Sequence, residues 1–309
     1  MTLFPGFNED RIAVGDDVHL FVRHGGSQRK PALVLLHGYP QTSAMWHGVV
    51  AELAMEYHII CPDLRGYGRS DKPDSDADHS PYSKRTMAAD IAALIKHFGY
   101  DSVFVGAHDR GARVAHRLGL DYPETIDAMM LLDIAPTREM YANTEFNFAK
   151  LYWHWFFLIQ KFPLPETLIG ADPRRYWMMK CTTQARNENP FHPDALEEYL
   201  STFEAADAIH ASCEDYRAAA SIDIAHDDAD DDKKLSMPLH VLWAKRGVIE
   251  TCFNALSLWQ TRAEIVTGHA MDTTHYMAEE KPAEIAHEMH QFFSSSHDLQ
   301  DSAVRDDVV

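Results

Sequence analysis

Val103-Phe104-Val105-Gly106-Ala107-His108-Asp109-Arg110-Gly111-Ala112-Arg113 is the stretch on which the fold turns. An apolar run leads into small residues, an acid and a glycine, and then into a sequence able to form a helix. The small residues permit a turn too tight for a Cβ at every position. Strand, sharp turn and helix together make a nucleophile elbow, which lifts its central side chain above the end of a sheet. That central residue is Asp109 and not a serine. A carboxylate can attack an alkyl carbon and leave an ester on the protein, which water must then cleave. An acid at a helix start is also a common N-cap. The coincidence of apolar strand, turn and glycine favours the nucleophile.

Outward from the elbow, strands and helices alternate, which predicts an α/β fold with a mostly parallel sheet covered on both faces. Leu33–Leu36, His58–Cys61, Val103–Val105 and Met129–Leu132 read as buried strands. Ser83 is placed to cap a helix with Met87, Ile91, Leu94, Ile95 and Phe98 on one face, and Ala112–Leu120 to form the helix behind the elbow. The alternation stops from about Pro136 to about Ala225, where aromatics, prolines and helix formers accumulate. This predicts a helical cap over 137–225 inserted into a core formed by 1–136 and 226–309. Strands resume at Leu239–Trp243 and Glu264–Val266, Pro282 starts a last helix ending near Phe293, and Ser294–Val309 reads as a frayed polar tail.

A formal net charge of -19 argues against nucleic-acid binding. No stretch approaches the roughly 20 apolar residues that span a bilayer, and no leader is visible after Met1. Cys61, Cys181, Cys213 and Cys252 lack CxxC spacing and read as reduced, buried thiols, so a cytoplasmic protein is expected. The acidic run His226–Asp232 lacks the turn glycine and closing glutamate of a calcium loop and reads as solvated. No metal site is expected.

His275 lies beyond the last strand, in a loop running into the final helix, and is the candidate base; His269 is its rival. Asp133, at the end of the strand after the elbow helix, is the candidate acid that orients it. Glu250, after the Leu239–Trp243 strand, is the alternative. The loop His37-Gly38-Tyr39-Pro40 supplies the Tyr39 amide, which with the Arg110 amide forms the expected oxyanion hole. Arg110 and Arg113 share a helix face and point to an anionic substrate, gripped through the carboxylate. His154, Trp155 and Tyr216 each combine an N–H or O–H donor with an apolar body and suit a departing halide. Trp153, Phe156 and Phe157 read as packing within the cap.

These residues resemble the fluoroacetate (haloacetate) dehalogenases of the α/β-hydrolase superfamily. The resemblance runs from about Arg11 to about Phe293. It rests on His37–Thr42 with Met45-Trp46-His47, Asp63–Gly68, Tyr82–Arg85, His108–Arg113, Leu132–Thr137, Tyr152–Phe156 and Cys213–Ala218. It implies an eight-stranded α/β-hydrolase sheet with a helical cap, no cofactor, a homodimer and a small haloacid substrate. It also implies a two-step hydrolysis. Asp109 displaces halide, and His275, oriented by Asp133, activates water on the ester. Arg110 and Arg113 hold the carboxylate, while His154, Trp155 and Tyr216 hold the halide. Trp243-Ala244, Cys181–Gln184 and Gly268–Asp272 depart from the family pattern and bear on substrate size. An epoxide hydrolase would share the Asp nucleophile but has no evident use for an arginine pair. A third reading is a small-acid-binding protein without turnover, against which the set Asp109, Asp133 and His275 argues.

Overall fold

The computed structural model describes residues 2–15, 17–186 and 189–306, with side chains described through Ser296. Eight strands form one sheet: β1 (Asn8–Gly15), β2 (Val18–Gly25), β3 (Ala32–Leu36), β4 (His58–Pro62), β5 (Val103–His108), β6 (Ile126–Leu132), β7 (Leu239–Ala244) and β8 (Val266–Met271). Their spatial order is β1-β2-β4-β3-β5-β6-β7-β8. The β1–β2 and β2–β4 pairs are antiparallel, and every later pair is parallel. The central strands β3, β4 and β5 are buried along their whole length. They are apolar and continuous because helices cover both faces of a parallel sheet.

On one side of the chain's central turn lie α1 (His47–Leu53) and α2 (Lys84–His97), and α3 (Asp109–Asp121) follows the elbow. Ser83 caps α2 by accepting the Thr86 N–H through its side chain, as its sequence position predicts. Between β6 and β7 the chain is helical from Thr137 to Ala229. This insertion includes α4 (Trp153–Leu158), α5 (Pro173–Gln184), α6 (Pro193–Phe203), α7 (Ala206–Ala219) and α8 (Ile222–Ala229). Asp172 accepts the Arg175 N–H and Pro173 occupies the first turn of α5, a start signal written into the sequence. Buried polar bonds tie the insertion down: Trp177 Nε1 donates to Pro40 O (2.9 Å) and Arg23 Nη2 to Glu198 Oε2 (2.6 Å).

Several expectations are corrected. The last strand is Val266–Met271 and not Glu264–Val266. Its alternation is polar and only partly buried because it is an edge strand, and Gly268 lets its backbone approach Val241 O, where a Cβ would stand at 2.1 Å. The final helix α9 (Pro282–Asp306) runs through the expected tail, in which no proline or glycine stops it; residues 307–309 lie outside the described residues. The acidic run is not simply solvated. Arg117 pairs with Asp227 and Asp230 (both 2.7 Å), Arg85 with Asp230, and Arg138 with Asp228. Trp153 is 39% exposed: on so short a helix, burying His154, Trp155 and Leu158 leaves position 153 outside. Cys252 is half-buried, while the other three cysteines are buried, and all four are free thiols. No described helix is long and apolar enough to cross a membrane.

Candidate active site

Parallel strands deliver their carboxyl ends to one edge of the sheet, and loops from several strands meet there. Asp109 leaves β5 with φ +47° and Asp133 leaves β6 with φ +51°. Both sit in the left-handed region, which costs a non-glycine residue about 1–3 kcal/mol and is held only by its surroundings. The close fit around the elbow explains two glycines. A Cβ on Gly38 would stand 2.5 Å from Asp109 Cβ, and one on Gly111 would stand 2.4 Å from His37 O.

His37 locks the loop after β3. Its Nε2 accepts the Leu64 N–H (2.9 Å), which fixes the tautomer, and its Nδ1 lies 3.1 Å from Gly38 O. The loop then presents the Tyr39 N–H to Asp109 Oδ1 at 2.9 Å. On the other side of the carboxylate stands His275, 3.9 Å from Asp109 Oδ2 through Nε2. His275 Nδ1 meets Asp133 Oδ2 at 2.7 Å, and Asp133 Oδ1 accepts the Ala244 N–H at 2.9 Å. One Asp133 oxygen thus meets the imidazole, and the other fixes the carboxylate on the Ala244 amide. His275 Nε2 is buried without a hydrogen-bond partner and faces Asp109.

The two rivals stand elsewhere. Glu250 accepts from Trp243 Nε1 (2.5 Å). His269 is inside β8, not past it, and lies beside Glu288 (3.4 Å).

The arginines are partly committed. Arg110 Nε and Nη2 grip Asp215 at 2.8 and 2.7 Å. Asp215 also accepts from Tyr67 Oη (2.5 Å) and from Lys84 Nζ. Arg113 Nη1 donates to Thr137 Oγ1 (2.8 Å) and Ala135 O (3.2 Å). The expected use of a whole guanidinium fork is therefore corrected: Arg110 Nη1 and Arg113 Nε are the buried donors left without a protein partner. Trp155 Nε1 and Tyr216 Oη, on the insertion, are also buried and unpartnered. The two sets interlock, with Arg110 over the Tyr216 ring (4.2 Å) and Arg113 over the Trp155 ring (4.6 Å). His154 packs parallel to Tyr39 at 6.3 Å and edge-on to Tyr216 at 5.9 Å. All five side chains are buried.

Burial alone would raise the Asp109 pKa, but His275, His108, Lys180 and Arg113 outweigh it and hold the carboxyl below its usual range. Asp109 is thus held as an anion. Burial, then Lys180, pushes His154 well below an ordinary histidine, so its ring is neutral near pH 7. Burial raises Tyr216 well above an ordinary phenol, which keeps its proton in place.

Three residues of the site escaped the sequence reading. Lys180 is buried, donates to Tyr39 O (3.2 Å) and lies 4.8 Å from the Tyr39 ring centroid. His108 Nε2 meets His275 O at 2.8 Å, and the two rings lie 4.6 Å apart. Asp215 anchors Arg110. His108 and Asp215 each adjoin a residue already singled out, Asp109 and Tyr216, which was the available signal; Lys180 carried none, being one of several polar residues on its helix. A cavity of about 360 Å³, lined in part by Tyr152, Gln184, Arg186 and Val248, reaches His275 from outside.

Residues 31–224 match the α/β hydrolase fold family. The chain belongs to that family. It is 37% identical over 296 residues to a fluoroacetate dehalogenase of Burkholderia sp, a match covering 95% of this chain and 96% of the relative. It is 32% identical over 267 residues to a soluble epoxide hydrolase of Corynebacterium sp. strain C12, covering 85% and 90%. A solved α/β hydrolase from Nostoc sp PCC 7120 superposes with a TM-score of 0.89 at 44% identity, over 93% of this chain and 97% of that one. These relatives make the protein a hydrolase.

Proposed function

We propose that the protein hydrolyses carbon–halogen bonds of small haloacids, with haloacetates giving glycolate and halide. Asp109 attacks the α-carbon in line with the leaving halide, and a C–O bond forms as the carbon–halogen bond breaks. His275 Nε2, its imidazole held by Asp133, takes a proton from water, and the resulting hydroxide adds to the Asp109 ester carbonyl. The Tyr39 amide, 2.9 Å from an Asp109 oxygen, with the Arg110 amide at the first turn of α3, receives the charge that develops on that oxygen. As the intermediate collapses, the C–O bond to the substrate breaks, His275 returns its proton to the departing alkoxide, and the hydroxyacid leaves; the proton left on Asp109 is lost to solvent, which restores the carboxylate.

The observation that carries the reading is the set of buried, unpartnered donors Arg110 Nη1, Arg113 Nε, Trp155 Nε1 and Tyr216 Oη. A buried donor with no partner costs about 1–3 kcal/mol, so four in one site belong to a ligand with acceptors. A haloacid has two separate acceptor ends. One arginine donor for each carboxylate oxygen leaves the indole and phenol, with His154, for the halide. The insertion over 137–225 then acts as a cap that closes a dry pocket over Asp109.

The soluble epoxide hydrolase relative keeps an epoxide reading alive. An epoxide needs a proton on its departing oxygen. Here an indole N–H and a phenol whose pKa burial has raised are poor proton donors but good halide ligands. Exposed Phe146, Phe162, Leu168 and Met179 all lie on the insertion and support the homodimer; one-protomer mass in sedimentation would overturn it.

The test is halide release by the purified protein given fluoroacetate and chloroacetate, with styrene oxide hydration measured beside it. Fluoride or chloride release with inert epoxide is expected. Diol formation without halide would replace this reading with the epoxide one, and no turnover of any of the three would move it to a small-acid binder.

A further inference from the structure

A second cluster of ligating side chains lies away from the nucleophile, where β7, β8 and α9 meet. His240, His269 and Glu288 each direct one ligating atom into the same space, all within 4.8 Å of one another. Among the described residues it is the one such grouping of three. We propose that these three residues form a binding site for a divalent transition metal, zinc being the best match.

Sheet register builds it. In the parallel β7–β8 pair His240 stands beside Thr267 and Leu242 beside His269. Positions 240 and 242, like 267 and 269, share a face, so both histidines point from one side of the sheet. Helix α9 crosses that side, with Glu288 and Phe292 one turn apart. The His240 ring is fixed from several directions: 5.2 Å from Phe292, 5.7 Å from His269, and held through Nδ1 by Thr267 Oγ1 at 2.7 Å. A histidine ligand usually has its second nitrogen occupied in this way, which fixes ring and tautomer. The opposite nitrogen, Nε2, is buried and has no hydrogen-bond partner. It lies 3.9 Å from Glu288 Oε2, while His269 Nε2 lies 3.4 Å from Glu288 Oε1.

Two imidazoles and one carboxylate are a nitrogen-and-oxygen donor set. Calcium and magnesium prefer all-oxygen shells, whereas zinc takes His and Glu at about 2.0–2.2 Å in a tetrahedron. Such bonds bring ligands to roughly 3.3 Å of each other. The His269–Glu288 pair already has nearly that spacing at 3.4 Å, and the other pairs need a contraction of up to about 1.5 Å. His269, half exposed on an edge strand, and Glu288, on a helix surface, have the rotamer freedom to supply it. Three protein ligands leave a fourth position for water.

The site stands apart from Asp109 and His275, so its effect on this fold would be to tie elements together. His240 is the second residue of β7 and Ala244, which touches Asp133, ends it, on the order of 13 Å along a strand rising about 3.3 Å per residue. A metal there would clip the edge strand β8 to α9 and close the open side of the sheet.

The test uses the full chain stripped with a chelator and dialysed. Titration with Zn²⁺, followed by calorimetry, is expected to saturate at one high-affinity equivalent and to raise the unfolding temperature. Co²⁺ in its place is expected to give the intense visible bands of a tetrahedral site. His269→Ala changes an exposed side chain and Glu288→Gln a half-buried one, and circular dichroism verifies their folds. Each is expected to weaken Zn²⁺ binding by at least about 10–100-fold and to abolish the Co²⁺ bands, with halide release unchanged. The absence of a saturable equivalent in the unaltered chain, or unchanged affinity in both variants, overturns the proposal.

Discussion

Asp133→Asn tests the hydrolytic half of the proposed reaction at a single atom. Asp133 Oδ1 accepts the Ala244 N–H at 2.9 Å and Oδ2 faces His275 Nδ1 at 2.7 Å. Asparagine has one oxygen for those two places. The Ala244 N–H cannot donate to an NH2 group, and leaving it unpaired in a buried site costs about 1–3 kcal/mol. The oxygen therefore stays on Ala244 and the NH2 turns to His275. That forces the imidazole into the tautomer with its lone pair on Nδ1 and its proton on Nε2. A protonated Nε2 cannot take a proton from water.

The wrong tautomer costs a histidine base roughly 10⁴-fold where it has been measured in a related triad, or about 5 kcal/mol at 1.36 kcal/mol per decade. The loss falls on ester hydrolysis alone. Asp109 itself keeps the Tyr39 amide and its nearby cations. Rapid-quench measurement of halide release should show a burst near one equivalent per site, followed by a steady rate down by about 10³–10⁴. Intact-mass analysis should find the adduct on Asp109. A steady rate within tenfold of the unaltered enzyme refutes the tautomer argument. Loss of the burst in a folded variant refutes the division of labour between Asp109 and the His275–Asp133 pair.

Other expectations come from charges in and around the site. Arg113→Ala removes one unpartnered donor worth about 1.5–3 kcal/mol to an anion; KM for a haloacid should rise about 10–100-fold with a smaller change in kcat, and unaltered kinetics would remove Arg113 from carboxylate binding. Lys180→Met deletes a positive charge that helps hold Asp109 ionised; the acidic limb of the kcat/KM profile should move to higher pH, and an unmoved limb would disprove the coupling. Asp215→Asn strips the buried Arg110 and Lys84 of their shared counter-charge, and unfolding titrations should show a loss of about 3–5 kcal/mol, with a change under 1 kcal/mol counting against it. Glu279 is buried between Tyr199 (2.5 Å) and Gln41 (3.1 Å), near His47, and burial pushes its pKa up to about 8. The folded state then holds a proton that the unfolded chain releases, so this group's contribution to stability is complete at acid pH and is lost as pH rises towards 8. Glu279→Gln keeps both hydrogen bonds and should be more stable than the parent by a few kcal/mol at pH 9 and little different at pH 5; parallel melting curves across that range would refute it.

The sheet was legible where one segment determines its own state. Leu33–Leu36 and Met129–Leu132 are apolar runs bounded by turn residues, and Ser83 or Asp172–Pro173 announce helices within four residues. The elbow was legible for the same reason: strand, turn and helix start are contiguous. The β8 edge was misplaced because an edge strand need not be apolar, and Thr267-Gly268-His269 is held by its partner β7 rather than by its own pattern. Trp153 was misjudged because burial on a six-residue helix depends on what packs against it.

The arginines mark the limit of local reading. Spacing alone put Arg110 and Arg113 on one helix face beside Asp109, and that placement holds. It did not tell how many of their donors remain, because the consumer of Arg110, Asp215, is 105 residues away in sequence. The difference is chemical. A complete guanidinium fork would bind a carboxylate in one fixed plane, independent of the insertion. Two single donors, each anchored through the rest of its guanidinium, define that plane only while α7 keeps Asp215 on Arg110 and the segment after β6 keeps Thr137 on Arg113. The proposed carboxylate recognition would thereby be conditional on the insertion being docked, and the ring stacking of Arg110 on Tyr216 and Arg113 on Trp155 extends the same condition to the proposed halide donors. Under the proposed reaction, specificity for a haloacid would accordingly belong to the seam between core and insertion, while the proposed nucleophile Asp109, base His275 and orienting acid Asp133 belong to the strand ends alone.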